Sequence, residues 1–255
     1  MNSSKKGYPI QWSNSNSMFM SALRHSKASW TYNWNVSAST SMLNKLKNDN
    51  INFCPCIWNE NFKIDRISEL LVKPKFILGY NEPDQKSQAN MSIDKILKNW
   101  EELTLRTPKD IMLVAPAISD GHFDFQRKLY DALASSGLRF DAIGLHYYRE
   151  DLLNFSKNNI PFLADRYDKK VVISEFGFID WANKRKYLSI NDKDKEKIVS
   201  QIINTCEFYE VSDEVAGYCI YPSYSASTYH GDMYNTFNML ENNKETLLFS
   251  EYSKI

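Results

Sequence analysis

Short apolar runs rich in β-branched and aromatic residues alternate along this chain with longer amphipathic stretches. Eight such runs can be counted, at residues 7–12, 28–34, 51–58, 75–81, 111–117, 140–148, 170–176 and 216–221. The stretches between them include helix candidates at residues 64–72, 92–106, 123–136 and 192–209. Because strands that alternate with helices form parallel βα units, the pattern predicts an α/β fold, a (β/α)8 TIM barrel.

The chain has 255 residues, which is the usual length of one such barrel, and neither a linker nor a low-complexity tract interrupts the series. We therefore predict a single domain over residues 1–255. Ser92 is the predicted N-cap of the second helix. The polar, aromatic segment 222–238 follows the eighth strand, and its length predicts a functional loop.

Two glutamates stand where predicted strands end. Glu82 follows the fourth run, in Gly-Tyr-Asn-Glu-Pro, and Glu175 directly continues the apolar seventh run, Val-Val-Ile-Ser. Active sites of such barrels lie at the carboxyl ends of the strands, so both glutamates should face one mouth. Retaining cleavage of a glycosidic bond needs an acid at the leaving oxygen and a second carboxylate about 5 Å away that attacks the anomeric carbon. The pair therefore predicts a glycoside hydrolase, retaining if the two carboxylates lie about 5 Å apart and inverting if they lie farther apart.

Simpler interpretations of single residues stay open at this point. Glu82 alone could be a loop carboxylate that caps the turn before Pro83, whereas Glu175 would be costly to bury without a partner. Most aromatic side chains pack in protein cores, and His146 could be a core histidine that bonds to the backbone. The pairing of the two glutamates favours the catalytic interpretation.

Composition narrows the class of partner. The 31 basic residues balance the 31 acidic residues, so we expect neither nucleic acid nor an anionic membrane as a partner. Aromatic residues make up 14% of the chain and suit stacking on neutral sugar rings. The four histidines and four cysteines show no ligand spacing, so we expect no metal, no cofactor and packed thiols.

The first residues, Met-Asn-Ser-Ser-Lys-Lys, are not followed by an apolar run typical of a signal peptide. No later run is long enough to span a bilayer, so we predict a soluble protein. The sequence leaves localisation open, including secretion after removal of a signal peptide.

Five ordered motifs resemble family 128 of the glycoside hydrolases, over residues 6–221. They are Trp-Thr-Tyr-Asn-Trp at 30–34, Pro-Cys-Ile-Trp at 55–58, Leu-Gly-Tyr-Asn-Glu-Pro-Asp at 78–84, Ser-Gln-Ala-Asn-Met-Ser at 87–92 and Ser-Glu-Phe at 174–176. The resemblance implies a (β/α)8 barrel whose acid/base and nucleophile are glutamates that end strands four and seven. In this chain Glu82 resembles the acid/base and Glu175 the nucleophile. It also implies retention, and substrates that are mostly β-1,3-glucans.

The same resemblance assigns roles to further residues. Asn81 resembles the asparagine that holds the sugar 2-hydroxyl. The segment 140–148 resembles the family's sixth strand, where a histidine, an aromatic residue and a tyrosine line the cleft. Either Tyr148 or His146 is expected to hydrogen-bond the nucleophile. The residues expected to bind substrate are Asn81, Trp30, Asn33, Trp34, Trp58, His146, Tyr147, Tyr148 and Tyr221.

Two departures from the family pattern alter the expected stacking platforms. Tyr147 stands where a tryptophan is typical, and Cys219-Ile220-Tyr221 stands where Ala-Trp-Phe is usual. We expect a monomer that cleaves laminarin-type β-1,3-glucan in the endo mode. One alternative is that the same catalytic residues act on a mannan, xylan or galactan, and another is transglycosylation. A third is a non-catalytic β-glucan-binding protein on this fold.

Overall fold

The computed structural model describes residues 3–10, 17–61, 64–182, 191–221, 239–241 and 244–255. One parallel sheet contains eight strands: β1 (Lys6–Gly7), β2 (Trp30–Thr31), β3 (Asn52–Phe53), β4 (Phe76–Leu78), β5 (Met112–Val114), β6 (Ala142–Tyr148), β7 (Lys170–Gly177) and β8 (Val215–Ile220). The helices are α1 (Ser17–His25), α2 (Thr40–Asn48), α3 (Ile93–Arg106), α4 (Phe123–Ser136), α5 (Leu152–Tyr167), α6 (Asp192–Val211) and α7 (Leu247–Tyr252). The short strands β9 (Leu240–Glu241) and β10 (Lys244–Glu245) pair antiparallel.

The sheet closes on itself. Its strand order is β3-β2-β1-β8-β7-β6-β5-β4, so β3 and β4 are the two edges. A parallel bridge between Cys56 and Leu78 joins these edges just beyond β3. Leu78 N–H donates to the Pro55 carbonyl at 2.8 Å, and its own carbonyl accepts from Ile57 N–H at 2.9 Å. The predicted (β/α)8 barrel is therefore confirmed.

Several strands are shorter than the predicted runs, because pairing beyond their ends continues only through isolated bonds. Beyond β1, for example, Tyr8 N–H donates to the Trp30 carbonyl and Ile10 N–H to the Tyr32 carbonyl. Part of the first predicted run, including Trp12, lies outside the described residues, as does the predicted loop 222–238.

The predicted helices form where capping and amphipathic spacing agree. The Ser92 hydroxyl accepts from Lys95 N–H at 3.3 Å at the start of α3, and Ile96, Trp100 and Leu103 bury one face of that helix. The helix at 123–136 is confirmed, the helix predicted to end at residue 209 continues to Val211, and 64–72 contains a 3-10 helix at Ile64–Glu69. Helices α2, α5 and α7 were not among the predicted candidates. In α5 an internal proline, Pro161, weakens the helical signal.

Buried side chains form two clusters. One contains inward-facing residues of β2 to β8, from Trp30 through Phe76 and Val172 to Cys219, and fills the barrel. The other lies between the sheet and the surrounding helices and includes Tyr147, Trp100 and Ile202. Among the helices of the described ranges, none combines the length and apolar character needed to cross a bilayer.

Candidate active site

Glu82, His146 and Glu175 meet at the carboxyl end of the barrel. One ligand atom from each of the three side chains lies within 4.8 Å of the other two. The side chain of Glu82 is 15% exposed and that of Glu175 is 8% exposed, so both carboxylates are close together and largely shielded from water. Closure of the barrel brings the fourth and seventh strands to one mouth.

A β-bulge in β7 aims Glu175 into this mouth. Leu145 of β6 pairs with Ile173, but the next residue, His146, pairs with Glu175, so Ser174 is extra. Since side chains alternate along a regular strand, the bulge lets the consecutive residues Ser174 and Glu175 both contribute to the site. The Ser174 hydroxyl lies 3.1 Å from His146 Nε2.

His146 lies close to both glutamates of the site. Its Nδ1 lies 2.9 Å from Glu82 Oε1 and 3.7 Å from Glu175 Oε2, and the residue is 2% exposed. Burial by itself lowers the pKa of His146, but the negative charges of Glu175 and Glu82 outweigh it and raise the pKa above its ordinary value. The histidine is thus bonded to side chains of the site and does not have the backbone contacts of a core histidine.

Neutral donors hold the Glu175 carboxylate. Trp34 Nε1–H donates to Oε1 at 2.6 Å, and the Tyr148 hydroxyl donates to Oε2 at 2.6 Å. The Tyr32 hydroxyl lies between the Ser174 carbonyl, at 3.0 Å, and Glu175 Oε1, at 3.3 Å. Burial, and then the charge of Glu175, raise the pKa of Tyr32 and of Tyr148 well above the ordinary value, so both hydroxyls keep their protons. These donors fix the position of both carboxylate oxygens of Glu175.

The backbone is strained at two residues of the site. Glu82 has φ +44° and Trp34 has φ +56°, which is the left-handed region that residues other than glycine rarely occupy. Such conformations cost about 1–3 kcal/mol each and persist where surrounding contacts fix them. For Glu82 those contacts include its N–H, which donates to the Ala117 carbonyl at 2.8 Å.

A buried aspartate fixes the loop that carries Glu82. Asp84, whose side chain is 1% exposed, accepts from Ser119 N–H at 3.1 Å and from the Ser119 hydroxyl. Asp84 also lies 3.0 Å from His122 Nδ1 and accepts from the Gln85 amide at 3.3 Å. These bonds tie the loop after β4 to the loop after β5, and so hold Glu82 against His146.

Several residues that the sequence singled out surround the pair. Tyr221 is half-buried, and its ring centroid lies 5.9 Å from that of Trp34 and 6.0 Å from that of Tyr148. Asn81 lines a small cavity that His146 and Ser174 also line, and its amide donates to Gln88 Oε1 at 3.3 Å. Trp58, also half-buried, packs against the cluster that fills the barrel.

Three of the residues expected to bind substrate do not reach the cleft. Trp30 is fully buried inside the barrel, where it packs edge-to-face against Phe76 and its indole N–H donates to the Lys5 carbonyl at 2.9 Å. Tyr147 is 1% exposed and faces helix α5, because its strand neighbours His146 and Tyr148 occupy the inward positions. The Tyr147 hydroxyl accepts from the Asn159 amide at 2.7 Å.

Asn33 is the third of these residues. Its side-chain amide donates to the Ser37 carbonyl at 3.2 Å, and its Oδ1 accepts from Asn35 N–H at 3.1 Å. Both polar ends are therefore engaged within the loop after β2, and they fix the turn that presents Trp34.

Sequence reasoning missed two members of the site. Tyr32 lies two residues before Trp34, so strand alternation would have placed both on the same face. Ser174 has no such signal, because the bulge that turns it inward depends on pairing with β6. The expectation of no metal-like cluster also overlooked the Glu82, His146 and Glu175 group, whose members come from three separate segments of the chain.

A closed parallel barrel with two adjacent glutamates, one after its fourth strand and one in its seventh, is the arrangement of a glycoside hydrolase that works with paired carboxylates. The family model described as glycosyl hydrolase catalytic core matches residues 7–252. The chain therefore belongs to that family of glycoside hydrolases, and the resemblance to family 128 is confirmed. A search of curated proteins gives no match.

Solved structures of family 128 share the fold. An endo-β-1,3-glucanase of subgroup I from Amycolatopsis mediterranei, in complex with laminarihexaose, is 19% identical over 98% of this chain and 99% of that chain, with a TM-score of 0.74. A curdlan-specific exo-β-1,3-glucanase of subgroup III from Blastomyces gilchristii, in complex with glucose, is 18% identical over 100% of this chain and 99% of that chain, with a TM-score of 0.72. An oligosaccharide-binding protein of subgroup VII from Cryptococcus neoformans is 19% identical over 99% of this chain and 93% of that chain, with a TM-score of 0.70.

Proposed function

We propose that this protein is a retaining, endo-acting β-1,3-glucanase of one catalytic domain that works as a monomer. The observation that carries the proposal is the position of the two carboxylates, whose nearest oxygens lie within 4.8 Å of each other. This short spacing supports retention, for which carboxyl groups lie about 5 Å apart, whereas inverting enzymes hold them about 6.5–9.5 Å apart to admit a water.

The two glutamates have surroundings that suit different roles. Glu175 accepts hydrogen bonds from neutral donors, which suits a nucleophile that must be ionised. Glu82 is the more exposed of the two and contacts His146, which suits a group that gives a proton to the leaving oxygen and later takes one from water. Asn81, next to Glu82, is the residue proposed to hold the sugar 2-hydroxyl.

The linkage is proposed from the substrates of the structural neighbours and from the shape of the glycan. Laminari-oligosaccharides and glucose occupy two of those neighbours. A β-1,3-linked chain curves, so its cleft needs platforms that face different directions. Trp58 and Tyr221, which follow β3 and β8, offer aromatic surface at separate points around the mouth.

The decisive experiment is NMR of the earliest products from laminarin, cellulose, xylan and mannan. We expect laminarin to be cut to short oligosaccharides whose new reducing ends are first β, with little action on the other polymers. An initial α-anomer would overturn retention, and preferential cutting of a β-1,4 polymer would overturn the linkage. Products longer than the substrate would indicate transglycosylation.

A second candidate function is glucan binding without catalysis, because one structural neighbour is an oligosaccharide-binding protein. The adjacent carboxylates of Glu82 and Glu175 favour hydrolysis. Tight binding of laminari-oligosaccharides with no product after prolonged incubation would support the binding function instead.

Truncation of Trp58 tests its proposed role as a platform. Trp58→Ala should weaken binding of laminari-oligosaccharides by about two- to tenfold, which is the value of one aromatic contact, and should leave the protein folded. Titration calorimetry and thermal unfolding measure the two effects. If the variant mainly loses about 3–5 kcal/mol of stability, Trp58 is a packing residue.

Trp34→Phe removes the indole N–H and keeps an aromatic ring beside Glu175. We expect kcat to fall about tenfold or more with KM little changed, because a charge-assisted hydrogen bond to the nucleophile is lost. Steady-state kinetics on laminarin check this. A rise in KM alone would show that Trp34 contacts sugar and does not act through Glu175.

Metal chelation should leave activity unchanged. The proposed reaction needs carboxylates alone, and both oxygens of Glu175 already accept hydrogen bonds from Trp34 and Tyr148. Laminarin hydrolysis measured before and after dialysis against EDTA tests this expectation. Loss of activity that a divalent ion restores would mean that Glu82, His146 and Glu175 hold a metal.

A further inference from the structure

Trp181 follows β7 and lies at the mouth of the barrel. Its side chain is 45% exposed, and its Nε1–H donates to the backbone carbonyl of Tyr148 at 2.6 Å. Tyr148 is the last residue of β6, and its hydroxyl bonds Glu175. A large aromatic side chain is thus hydrogen-bonded to the backbone of Tyr148, the residue that donates to the proposed nucleophile.

The hydrogen bond gives the exposed indole a fixed orientation. The polar edge of the ring is satisfied by the protein, so the part that meets water is apolar and contributes little to packing. Other exposed apolar side chains, such as Leu105 of α3, Phe162 of α5 and Val211 of α6, lie on the helices that surround the barrel. Single exposed residues of that kind are ordinary, whereas Trp181 lies at the end of the barrel that carries the catalytic pair.

We propose that Trp181 is a glucosyl-binding platform on the β6–β7 side of the mouth, and this rests on the proposed function. In the closed strand order, the segments that carry Trp58, after β3, and Trp181, after β7, lie on nearly opposite sides of the barrel. Glu175 lies in β7, and Glu82 follows β4, which neighbours β3 in the closed barrel. A glucan chain that spans the mouth therefore meets one tryptophan at each end.

The chemistry of a β-glucosyl unit fits such a platform. Its ring has apolar C–H faces, while its hydroxyls point outward and remain hydrated. The indole offers a rigid apolar face with little conformational entropy to lose on binding. Because the proposal places Trp181 at one end of the bound glucan, its contact should matter for longer oligosaccharides and not for the shortest.

Binding of laminari-oligosaccharides of two to six glucose units tests the platform. The ligands are titrated into Glu82→Gln and into Glu82→Gln combined with Trp181→Ala, Trp181→Phe or Phe162→Ala. We expect Trp181→Ala to weaken binding of the longer ligands about three- to tenfold and to spare the shortest. Trp181→Phe should lose less, since it keeps a ring. Phe162→Ala, which removes an exposed aromatic side chain from the outer face of α5, should change nothing.

Kinetics on laminarin give a second readout. In the wild-type background, Trp181→Ala should raise KM and leave kcat and the thermal midpoint unchanged. If Trp181→Ala leaves the affinity for every oligosaccharide unchanged, or lowers it equally for every length, Trp181 is not a platform. The proposed function would still stand in that case if the wild type hydrolyses laminarin. If neither the wild type nor Glu82→Gln binds any of these glucans, both proposals fall.

Discussion

Glu82→Gln should lower hydrolysis of laminarin by about 10²- to 10⁴-fold, which is the usual contribution of a general acid. Glutamine keeps the shape of the side chain, and its amide oxygen can still face His146, but it has no proton to give to the leaving oxygen. An aryl β-glycoside with a good leaving group needs no such proton, so its first step should keep much of its rate. Initial rates on laminarin and on a dinitrophenyl β-laminaribioside measure the difference.

Glu102→Gln is the matched control. Glu102 is exposed on α3 and pairs with Arg106, so its replacement should leave both rates unchanged. Equal losses on the two substrates would remove Glu82 from the acid/base role. Azide added to Glu82→Ala should capture the glycosyl-enzyme and give a β-glycosyl azide, since the second displacement restores the original configuration.

Glu175→Ala should abolish turnover, by on the order of 10⁴-fold or more, because the group that forms the covalent intermediate is gone. Trp34 and Tyr148 then lose the carboxylate to which both donate, and the space that the carboxylate filled is left empty. With an activated substrate, azide should enter that space, attack the anomeric carbon and displace the aryl leaving group. The product should be an α-glycosyl azide, since only one displacement has occurred.

The configuration of the azide product separates the two glutamates. NMR that finds an α-azide from Glu175→Ala and a β-azide from Glu82→Ala supports the assignment. The reverse pattern would show that the roles are exchanged. Circular dichroism of both variants should match the wild type, so that loss of activity is not mistaken for loss of fold.

Local patterns in the sequence predicted much of the architecture. Runs of apolar residues such as those before Asn81 and Glu175 form strands because the barrel buries them on both faces. The Ser92 cap and the spacing of Ile96, Trp100 and Leu103 lead to α3 for equally local reasons. Helix α5 escaped prediction because tertiary packing of its buried face overrides the proline inside it.

The positions of the aromatic residues show what local sequence patterns do not predict. Trp30, Tyr32 and Trp34 share one face by strand alternation, but alternation does not state how far along the barrel each one lies. Trp30 packs inside the barrel, whereas Trp34 reaches Glu175. Tyr147 was expected in the cleft on resemblance alone, although alternation with His146 and Tyr148 already favoured the opposite face.

The sequence by itself determined the eight strands, the barrel class and the two strand-associated glutamates, because strand formation and burial follow from residues close together in the chain. Only the tertiary structure decided which side chains touch Glu175 and Glu82. His146 and Tyr148 lie on β6, whereas Trp34 follows β2. Their meeting at Glu175 depends on closure between β3 and β4 and on the bulge at Ser174. Both features are set by register around the whole barrel, and no local run of residues encodes a register that every strand must satisfy at once.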